Sequence, residues 1–555
     1  MTFWEHFLRL LPKRPFPALA ALYWYITRRR VRARNRLRVG SADLHFVYAA
    51  WIKSNEDKAE FASRCKAIVQ DSDWHPRFCV LLHPSGDYSD EQLRRSRSSV
   101  ESQIYPHWTI TSDPASLCRE ASADADFIVP LRVGDQLSSA ALFRFTEAAR
   151  ANLGASILYG DEDYVDEGGR RRPWFKPRWN REMFLALDYL SSCVSISAEL
   201  ARDFLREKQP TNVSSLLLAA TSAAADGSIV HVPHILCHVD PRGRQQSDRT
   251  VVVAEHLKAL GATCGVGPFG TVKVQWPLPQ PLPLVSVIIA TRDKLDLLGP
   301  CVEGVLNRTD YGNLEILILD NGSVEESTRT YLEELDRHPQ IRVLAFPGPF
   351  NFSAINNFAA LQARGSFLCL LNNDTEVIEP TWLSELMRYA ARKEVGAAGA
   401  KLLYEDGSIQ HAGIVIGIGE AAGHAHRLLP AGEPGYFRMP HVPQFVSAVT
   451  AACLVIEKTK FDAVRGFDEQ MPVAFNDVDF CLKVQAAGWQ NVYVPQAVLL
   501  HHESKSRGKD DEPENVQRFQ RELGILQRRW GTKIYVDPVH NPNLDRHSET
   551  FVIRA

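Results

Sequence analysis

Residues 366–376 read SFLCLLNNDTE, and the change of character inside this stretch decides the fold of the chain around it. The five apolar residues 367–371 suit a buried strand, which stops at the polar residues 372–376. In an open α/β sheet, ligands bind beyond the carboxyl ends of the strands. A carboxylate at such an end, here Asp374, can hold Mg²⁺ or Mn²⁺ against the phosphates of a substrate. A polar turn without a function is the alternative, because Asn and Asp favour turns.

The segments around this stretch alternate between strand and helix. Strands are predicted at 285–290, 314–319, 341–344 and 367–371, and helices at 295–307 and 354–364. The first of these strands is rich in β-branched residues, as buried parallel strands are. Ser353 is a suitable N-cap for the second helix, and Gly365 suits the position after its end. The alternation predicts a parallel, doubly wound α/β sheet.

Two acidic residues, Asp320 and Asp374, follow strands of this one predicted sheet. Parallel strands end on the same side of a sheet, so the two carboxylates converge, which favours a nucleotide site there. The chain has neither a GxGxxG fingerprint after the first strand nor a P-loop. The phosphates of a nucleotide therefore require another partner, and a carboxylate-bound Mg²⁺ or Mn²⁺ is the simplest one.

Later segments carry further candidate residues. The small apolar residues 446–456 are predicted to form a strand that lines a cavity, and a helix begins near Asp477 and Asp479. Acids in a first helical turn satisfy free N–H groups, whereas a general base facing a cation is the functional interpretation. His501 and His502 follow another predicted strand, and they are either structural histidines or metal ligands.

The first half of the chain also has an α/β pattern. Helical connections are predicted at 40–75, strands at 78–82, 127–131, 157–159 and 229–237, a helix at 140–150, and a dense acidic turn at 160–166. Four prolines within residues 276–283 exclude a helix or a sheet interior. This stretch is therefore predicted to link two domains.

The N-terminal forty residues combine apolar and aromatic side chains with an arginine cluster. The apolar run 16–27 is followed by seven arginines within residues 28–38. The run is well short of the roughly 20 residues that cross a bilayer. Residues 1–40 are therefore predicted to lie on an anionic membrane surface as an amphipathic basic segment. A helix packed on its own protein, with solvated arginines, is the alternative.

The composition is that of a globular protein with several domains, with 45% hydrophobic and 23% charged residues over 555 positions. The formal net charge of −3 argues against a nucleic-acid partner. The ten cysteines include no CxxC pair, which argues against zinc and redox motifs. Reduced cysteines and the lack of a cleavable signal indicate the cytoplasm.

Several motifs follow one another in a specific order. They are VSVIIAT at 285–291, DNGS at 320–323, NND at 372–374, GFDE at 466–469 and NDVD at 476–479. In this order and spacing the chain resembles glycosyltransferase family 2, the nucleotide-sugar-dependent enzymes of GT-A fold. The IQHAG stretch at 409–413 and the HHESKSRG stretch at 501–508 resemble a bacterial subset that is linked to O-antigen and other surface polysaccharides.

The resemblance implies roles for individual residues. The residues implied to hold the nucleotide sugar are Thr291, Asp293, Asp320, Asn321, Asn372 and Asn373. Asp374 would be the metal-binding aspartate of the DxD motif, with His501 as a further ligand, His502 as its alternate and Mg²⁺ or Mn²⁺ as the cofactor. Asn372 takes the first position of that motif, which leaves the metal one carboxylate fewer. Asp477 would be the catalytic base, although Asn476 stands where the family usually has Glu.

The resemblance also implies two GT-A-like domains in tandem, the first degenerate. Where the metal motif of the first should fall, the chain has Arg132 and Gly134, with only Asp135 as a carboxylate. The base motif expected near 210–218 is missing. The predicted divisions are 1–40, an amphipathic basic segment; 76–275, the degenerate domain; 276–283, the linker; 284–510, the catalytic domain; and 511–555, a C-terminal extension.

The implied reaction is a metal-dependent, inverting transfer of a hexosyl or deoxyhexosyl group. The donor would be a nucleotide diphosphate sugar, and the acceptor a glycan, in particular a lipid-linked one, at the inner face of the plasma membrane. A nucleotidyltransferase and a non-catalytic glycan-binding scaffold are the alternatives. A nucleotidyltransferase would release pyrophosphate, whereas glycosyl transfer releases a nucleoside diphosphate.

Overall fold

The structure, a computed structural model, describes residues 3–554 except 28–32, 34–35, 38–39, 41–44, 57, 72–73, 85, 113–123, 167–168, 203–212, 242–248 and 503–512. It divides into two compact units. The first comprises residues 1–180, 187–260 and 540–555, and the second comprises residues 181–186 and 261–539. Most of the arginine cluster at 28–38, part of the 210–218 segment and residues 503–508 therefore lie outside the described residues.

Helices connect the strands in both units. The helices are α1 (Phe3–Leu10), α2 (Pro15–Ile26), α3 (His45–Asn55), α4 (Lys58–Asp71), α5 (Asp90–Glu101), α6 (Ala141–Ala151), α7 (Arg181–Ala186), α8 (Val213–Ala223), α9 (Arg249–Lys258), α10 (Leu295–Asn307), α11 (Glu326–Leu335), α12 (Phe352–Gln362), α13 (Trp382–Ala390), α14 (Lys458–Ala463), α15 (Asn476–Ala486) and α16 (Pro513–Trp530).

The strands of the first unit are β1 (Phe78–His83), β2 (Trp108–Thr111), β3 (Phe127–Arg132), β4 (Gln136–Leu137), β5 (Ile157–Asp166), β6 (Gly169–Trp174), β7 (Val194–Ser197) and β8 (Ile229–Val239). Those of the second unit are β9 (Thr263–Val266), β10 (Val272–Gln275), β11 (Val285–Thr291), β12 (Leu314–Asp320), β13 (Ile341–Ala345), β14 (Phe367–Asn372), β15 (Thr375–Val377), β16 (Val395–Leu403), β17 (Ile409–His411), β18 (Ile414–Ile416), β19 (Ala422–His424), β20 (Gln444–Val446), β21 (Cys453–Glu457) and β22 (Gln490–His501).

The main sheet of the second unit has the order β13-β12-β11-β14-β21-β16-β22-β15. Its first four strands are parallel, and β11 lies between β12 and β14. β21 then runs antiparallel to both of its neighbours, and β16 and β22 are parallel to each other. The predicted α/β fold class is confirmed, and the sheet is mixed rather than parallel throughout. Apolar periodicity reports burial and does not report strand direction, which is why the sequence did not reveal the mixture.

The first unit repeats this arrangement. Its main sheet has the order β2-β1-β3-β7-β5-β8-β4. β1, β2 and β3 are parallel, β7 is antiparallel to β3 and β5, β5 and β8 are parallel, and β4 is antiparallel to β8. Without β13, the sheet of the second unit has the same sequence of strand directions. Two units of one topology in tandem agree with the predicted organisation.

Helix α12 begins two residues before the predicted start at 354, and its N-cap is Asn351 rather than Ser353. The Asn351 Oδ1 atom accepts a hydrogen bond from Ala354 N at 3.1 Å. The Ser353 hydroxyl instead donates to Met471 O at 2.7 Å. Both residue types are good caps, so the sequence alone could not separate them.

Gly365 does not end this helix either, because its C-cap is Ala363. A Cβ atom on Gly365 would lie 2.7 Å from Leu284 O. The glycine therefore permits a close approach of two backbones at the start of β14.

The predicted strand at 446–456 is two strands, β20 and β21, separated by a turn at 447–452. This turn contains no Gly or Pro, so nothing in its composition marked it. The strand predicted before His501 is β22, which runs without interruption from Gln490 to His501.

The predicted acidic turn at 160–166 belongs to strand β5. Asp161, Glu162 and Asp163 are fully buried within it. Asp161 contacts His231 Nε2 at 2.7 Å, and Glu162 pairs with Lys176 Nζ at 2.8 Å. Buried charges persist when they are paired, and these pairs stabilise the strand in place of a turn.

Candidate active site

The turn between β14 and β15 brings Asp374 to the end of strand β22. Thr375 pairs with His501 across the antiparallel β15–β22 ladder. Asp374 Oδ1 lies 3.1 Å from His501 Nε2, and both side chains are almost fully buried. The structure therefore joins the two residues that were predicted as metal ligands, although 127 positions separate them in the sequence.

Gln410, at the centre of β17, fixes the orientation of the His501 ring. Its Oε1 atom lies 2.7 Å from His501 Nδ1. A carbonyl oxygen can only accept, so Nδ1 carries the proton and, in the neutral ring, Nε2 presents its lone pair to Asp374. Asn372 Nδ2 also approaches His501 Nε2, at 3.3 Å. A lone pair and a carboxylate facing each other at this distance form a pair of ligands suited to a cation.

His502 faces other partners. Its Nδ1 atom lies 2.6 Å from Glu405 Oε1, and its Nε2 atom lies 3.6 Å from Glu376 Oε2. His502 N donates to Asp374 O at 2.9 Å, but of the two imidazole rings only that of His501 lies against the Asp374 carboxylate, because successive side chains of an extended chain point to opposite faces.

The predicted nucleotide-binding residues lie at the carboxyl ends of β11, β12 and β14. Asn373 Nδ2 donates to Thr291 Oγ1 at 3.1 Å. Asp293 Oδ1 accepts from the backbone N–H groups of Val324 and Glu325 at 2.8 and 2.9 Å. These contacts join the loops that follow three neighbouring strands.

Asp320 and Asn321 hold neighbouring backbone in place. Asp320 Oδ1 accepts from Ser323 N and Ser323 Oγ at 2.8 and 2.7 Å. Asn321 Nδ2 donates to Phe346 O at 2.8 Å and to Gly348 O at 3.2 Å. Asn321 is almost fully buried, so its side chain shapes the loop wall rather than presenting itself at the surface.

Asp477 lies in the first turn of α15 and faces the 447–452 turn. Its Oδ2 atom accepts from Ala451 N at 3.3 Å, and its Oδ1 atom accepts from Val478 N at 2.8 Å. Burial raises the pKa of this carboxyl above its ordinary value, against the opposing effect of these hydrogen bonds. In the same turn, Ala452 O accepts from Asn372 N at 3.0 Å. The adjacent residues Ala451 and Ala452 thus connect the predicted base, Asp477, to Asn372 of the predicted metal motif.

His411 connects the other side of the same turn. Its Nε2 atom accepts from Thr450 N at 3.4 Å, and its Nδ1 atom lies 2.9 Å from His424 Nδ1. Burial lowers the pKa of His411 well below its ordinary value, so the ring is a neutral structural element. Gly413, two residues on, has a φ of 92°, a conformation that glycine adopts without strain.

Gln410 and His411 were not assigned roles from the sequence. The 409–413 stretch entered only as a motif that resembles a bacterial subset, and its periodicity carries no chemical signal. What distinguishes the two residues is their contact with His501 and with the 447–452 turn. Such contacts depend on the order of the strands in the sheet, so they could not be predicted from the spacing of residues along the sequence.

Helix α16 supports the start of α15. Arg529 Nη1 and Trp530 Nε1 donate to Asp479 Oδ1 at 2.7 and 2.8 Å. Asp479 is therefore held by side chains of α16 rather than by the free N–H groups of its own helix. Phe475, directly before α15, has a φ of 59° and packs against Phe519 of α16. Backbone strain of this kind concentrates near functional sites.

The equivalent edge of the first unit is built differently. Asp135 precedes β4 as Asp374 precedes β15, and Gln136 pairs with His238 as Thr375 pairs with His501. Arg132 occupies this turn and contacts Asp135 with Nε–Oδ2 and Nη2–Oδ1 distances of 3.1 and 2.5 Å. The guanidinium group neutralises the carboxylate that a cation would otherwise require.

In the described residues, no group of three His, Cys, Asp or Glu side chains is arranged to hold a metal ion. Asp374 and His501 form a pair, and a cation held by two protein ligands needs further oxygen ligands from water or substrate, as Mg²⁺ sites commonly use. The replacement of a second motif carboxylate by Asn372 agrees with such an open site.

Comparison with known proteins gives a family match inside the second unit. Residues 286–436 match the family model described as glycosyl transferase family 2. The protein y4gI of Sinorhizobium fredii, named as uncharacterized, is 42% identical over 451 residues, which are 77% of this chain and 49% of that protein. The O-antigen biosynthesis protein RfbC of Myxococcus xanthus is 32% identical over 520 residues, which are 84% of this chain and 40% of RfbC.

A third relative aligns with a shorter region. The N-acetylglucosaminyl-diphospho-decaprenol L-rhamnosyltransferase of Mycobacterium tuberculosis is 26% identical over 262 residues, which are 41% of this chain and 78% of that enzyme. The chain spans about half or less of the length of the first two relatives. The family match covers residues 286–436, so what the comparison identifies is a glycosyltransferase family 2 domain within this chain.

Proposed function

We propose that this chain is a metal-dependent, inverting glycosyltransferase that moves a sugar from a nucleotide diphosphate sugar to a hydroxyl group of a glycan. The observation that supports this most directly is the 447–452 turn, which contacts Asp477 through Ala451 and the metal motif through Ala452. A base and an anion-stabilising centre on one turn suit a single displacement at an anomeric carbon.

In this proposal, Asp477 removes the proton of the acceptor hydroxyl as the oxygen attacks. Its raised pKa makes it a better proton acceptor than an ordinary carboxylate. Asp374 and His501 would hold Mg²⁺ or Mn²⁺, which supplies positive charge to the departing diphosphate when bound. Thr291, Asn373 and the loops held by Asp293 and Asp320 would surround the nucleotide.

The acceptor that suits the relatives is a carrier-linked glycan in surface polysaccharide synthesis. One relative is named for O-antigen biosynthesis, and another is named for a diphospho-decaprenol acceptor. The first unit would be catalytically silent, because Arg132 already neutralises Asp135.

A donor screen tests the proposed function. Purified protein is incubated with a panel of nucleotide sugars and Mn²⁺ or Mg²⁺, with and without chelator, and nucleoside diphosphate release is measured. Metal-dependent release from one donor is the expected result and identifies the sugar. Pyrophosphate release from a nucleoside triphosphate would favour a nucleotidyltransferase. If no donor in the panel releases nucleoside diphosphate, and the protein shows no metal-dependent nucleotide binding, a non-catalytic scaffold would be favoured.

Replacement of Gln410 by Leu is expected to weaken Mn²⁺ binding by about 10- to 100-fold, the usual cost of losing a residue that orients a metal-bound histidine. The Leu side chain cannot accept the His501 Nδ1 proton, so the Nε2 lone pair is no longer fixed toward Asp374. Electron paramagnetic resonance of free Mn²⁺ measures the affinity. Gln410→Glu retains an acceptor oxygen and should restore most of the binding, whereas equal affinity in the Leu variant would exclude this role.

Helices α1 and α2 supply a surface for a membrane. They pack on each other through a small apolar cluster that includes Phe7, Leu10 and Ala21. Their outward side chains remain exposed: Trp4, Leu8, Phe16, Leu19, Tyr23 and Ile26. No helix within the described ranges is long and apolar enough to cross a bilayer. We propose that this pair of helices lies on the inner face of the plasma membrane.

Replacement of both Phe16 and Ile26 by Glu is expected to abolish most binding to anionic phospholipid vesicles. The two side chains are 85% and 70% exposed, so the substitutions remove apolar contact area without disturbing a core. Co-sedimentation with the vesicles measures the effect. Leu153→Glu, at a position that is 86% exposed after α6, serves as the control and should bind as the original protein does. Unchanged binding of the double variant would contradict the proposed surface.

A further inference from the structure

The first unit contains a cavity of about 610 Å³. Residues of α3, α5, β4 and β8 line it, among them Trp51, Ser98 and His238. Its volume lies within the range of small-molecule sites. None of the residues proposed above to act in sugar transfer lines this cavity, so the roles assigned so far leave it unexplained.

The cavity has an excess of positive charge. Four arginines line it, Arg94, Arg95, Arg144 and Arg170, against only two glutamates, Glu56 and Glu91. The chain as a whole carries a formal charge of −3, so this concentration of arginine differs from the average of the protein. Arginine presents several donors in a planar fork that suits phosphate oxygens.

The arginines differ in how far their donors are already used. Arg170 pairs with Glu56 and Asp163, and Arg95 pairs with Glu91. Arg94 makes no ion pair with any residue that the structure describes.

Arg144 retains unused donor capacity although it is only 8% exposed. Its Nη1 atom binds Glu147 at 2.7 Å, while its buried Nε atom has no hydrogen-bond partner in the described part of the chain. His234 lines the cavity as well, and burial lowers its pKa to about 4, so it is a neutral ring at pH 7. A largely buried guanidinium with spare donors favours an anionic ligand over a neutral one.

The cavity is close in the chain to the proposed membrane surface. Gly40 packs against Leu10 and Pro17 of the α1–α2 pair. Trp51, eleven residues later, lines the cavity. Eleven residues span at most about 40 Å even when fully extended. The chain therefore keeps Trp51 within about 40 Å of Gly40, which packs on the α1–α2 pair.

We propose that the cavity of the first unit binds the phosphate or diphosphate group of the acceptor's carrier, an inference that rests on the proposed function. The first unit would thereby hold the acceptor while the second unit carries out the transfer. Arg94 and Arg144 supply the donors to the phosphate oxygens. The Arg132–Asp135 pair of the first unit takes no part.

Calorimetric titration of the full-length protein with inorganic diphosphate, with chelator present to exclude metal-dependent binding, tests this proposal. The double variant Arg94→Gln with Arg144→Gln is expected to bind at least about tenfold more weakly. Arg97→Gln, on the same helix but outside the cavity, is the matched control and should bind unchanged. Because Arg144 also pairs with Glu147, thermal unfolding is measured, and the single variant Arg94→Gln repeats the test at an exposed position.

Titration with farnesyl diphosphate distinguishes a lipid-linked ligand from a free phosphate compound. Tighter binding of this probe than of inorganic diphosphate supports a lipid-linked ligand, and equal binding supports a free phosphate compound. No binding of either probe by the original protein, or equal binding by the arginine variants, would overturn the proposal. Asp477→Asn should bind diphosphate normally even if transfer is lost, so a failure of the proposed function is separable from a failure of this site.

Discussion

Replacement of Asp477 by Asn is expected to lower the turnover number of sugar transfer by about 100- to 10,000-fold, the usual contribution of a general base. The amide has nearly the same shape and can still accept from Val478 N through its oxygen. It cannot take a proton from the acceptor hydroxyl. The substitution therefore removes one chemical step while the first turn of α15 stays in place. Nucleoside diphosphate release with acceptor present measures the loss.

The pH dependence of the original enzyme supplies an independent measurement. A base acts when deprotonated, so the rate should fall as the pH decreases through the pKa of Asp477. Burial raises that pKa, which places the acidic limb at higher pH than for an exposed aspartate. The residual activity of Asp477→Asn should lack this limb. An unchanged limb in the variant would assign the titration to another group.

A matched substitution separates chemistry from structure. Asp462→Asn, on α14, removes a carboxylate that pairs with Lys458 at the surface, and it should leave the turnover number unchanged. Circular dichroism and thermal unfolding confirm that both variants are folded. If Asp477→Asn keeps full turnover, the proposed base is wrong. If transfer is absent in the original protein yet glycan binding persists in both variants, the scaffold interpretation is favoured.

The strands that carry the site could be predicted from the sequence because each is a short apolar run with a clear polar end. Strands β11, β12 and β14 extend by only one residue beyond their predicted ends. Asp320 and Asp374 lie just after the predicted ends of their strands, so they could be singled out from the sequence. The fold class could therefore be predicted from local patterns, because these depend only on burial and turn chemistry.

The partners across the sheet could not be predicted in the same way. Gln410 lies 91 positions from His501, and Ala451 lies 26 positions from Asp477. The sequence of the 447–452 turn predicts a strand because its residues are small and mostly apolar. They are apolar because they are buried under the site. Its backbone groups are satisfied by His411, Asp477 and Asn372 rather than by a strand ladder. Contacts of this kind follow from the strand order, which apolar periodicity does not contain.

Replacement of Asp374 by Asn is expected to abolish Mn²⁺ binding and to lower turnover by about 1,000-fold, because a bound cation supplies several kcal/mol of charge stabilisation. Among the residues that the structure describes, the carboxylate that faces His501 Nε2 is Asp374, and Asn372 stands where the motif usually has another carboxylate. The variant would present two amides and an imidazole, which bind hard cations weakly. Mn²⁺ binding by paramagnetic resonance and turnover are measured on the same preparation.

Glu376→Gln is the matched control for Asp374→Asn. Glu376 lies two residues further along the chain, where it contacts Arg308 at 3.5 Å and His502 at 3.6 Å rather than His501. Its loss should leave both Mn²⁺ affinity and turnover unchanged. If Glu376→Gln weakens Mn²⁺ binding and Asp374→Asn does not, the cation is held by the His502 side of β22, and the proposed site is wrong. If neither variant changes turnover while chelator still inhibits, the metal acts at a position outside this edge of the sheet.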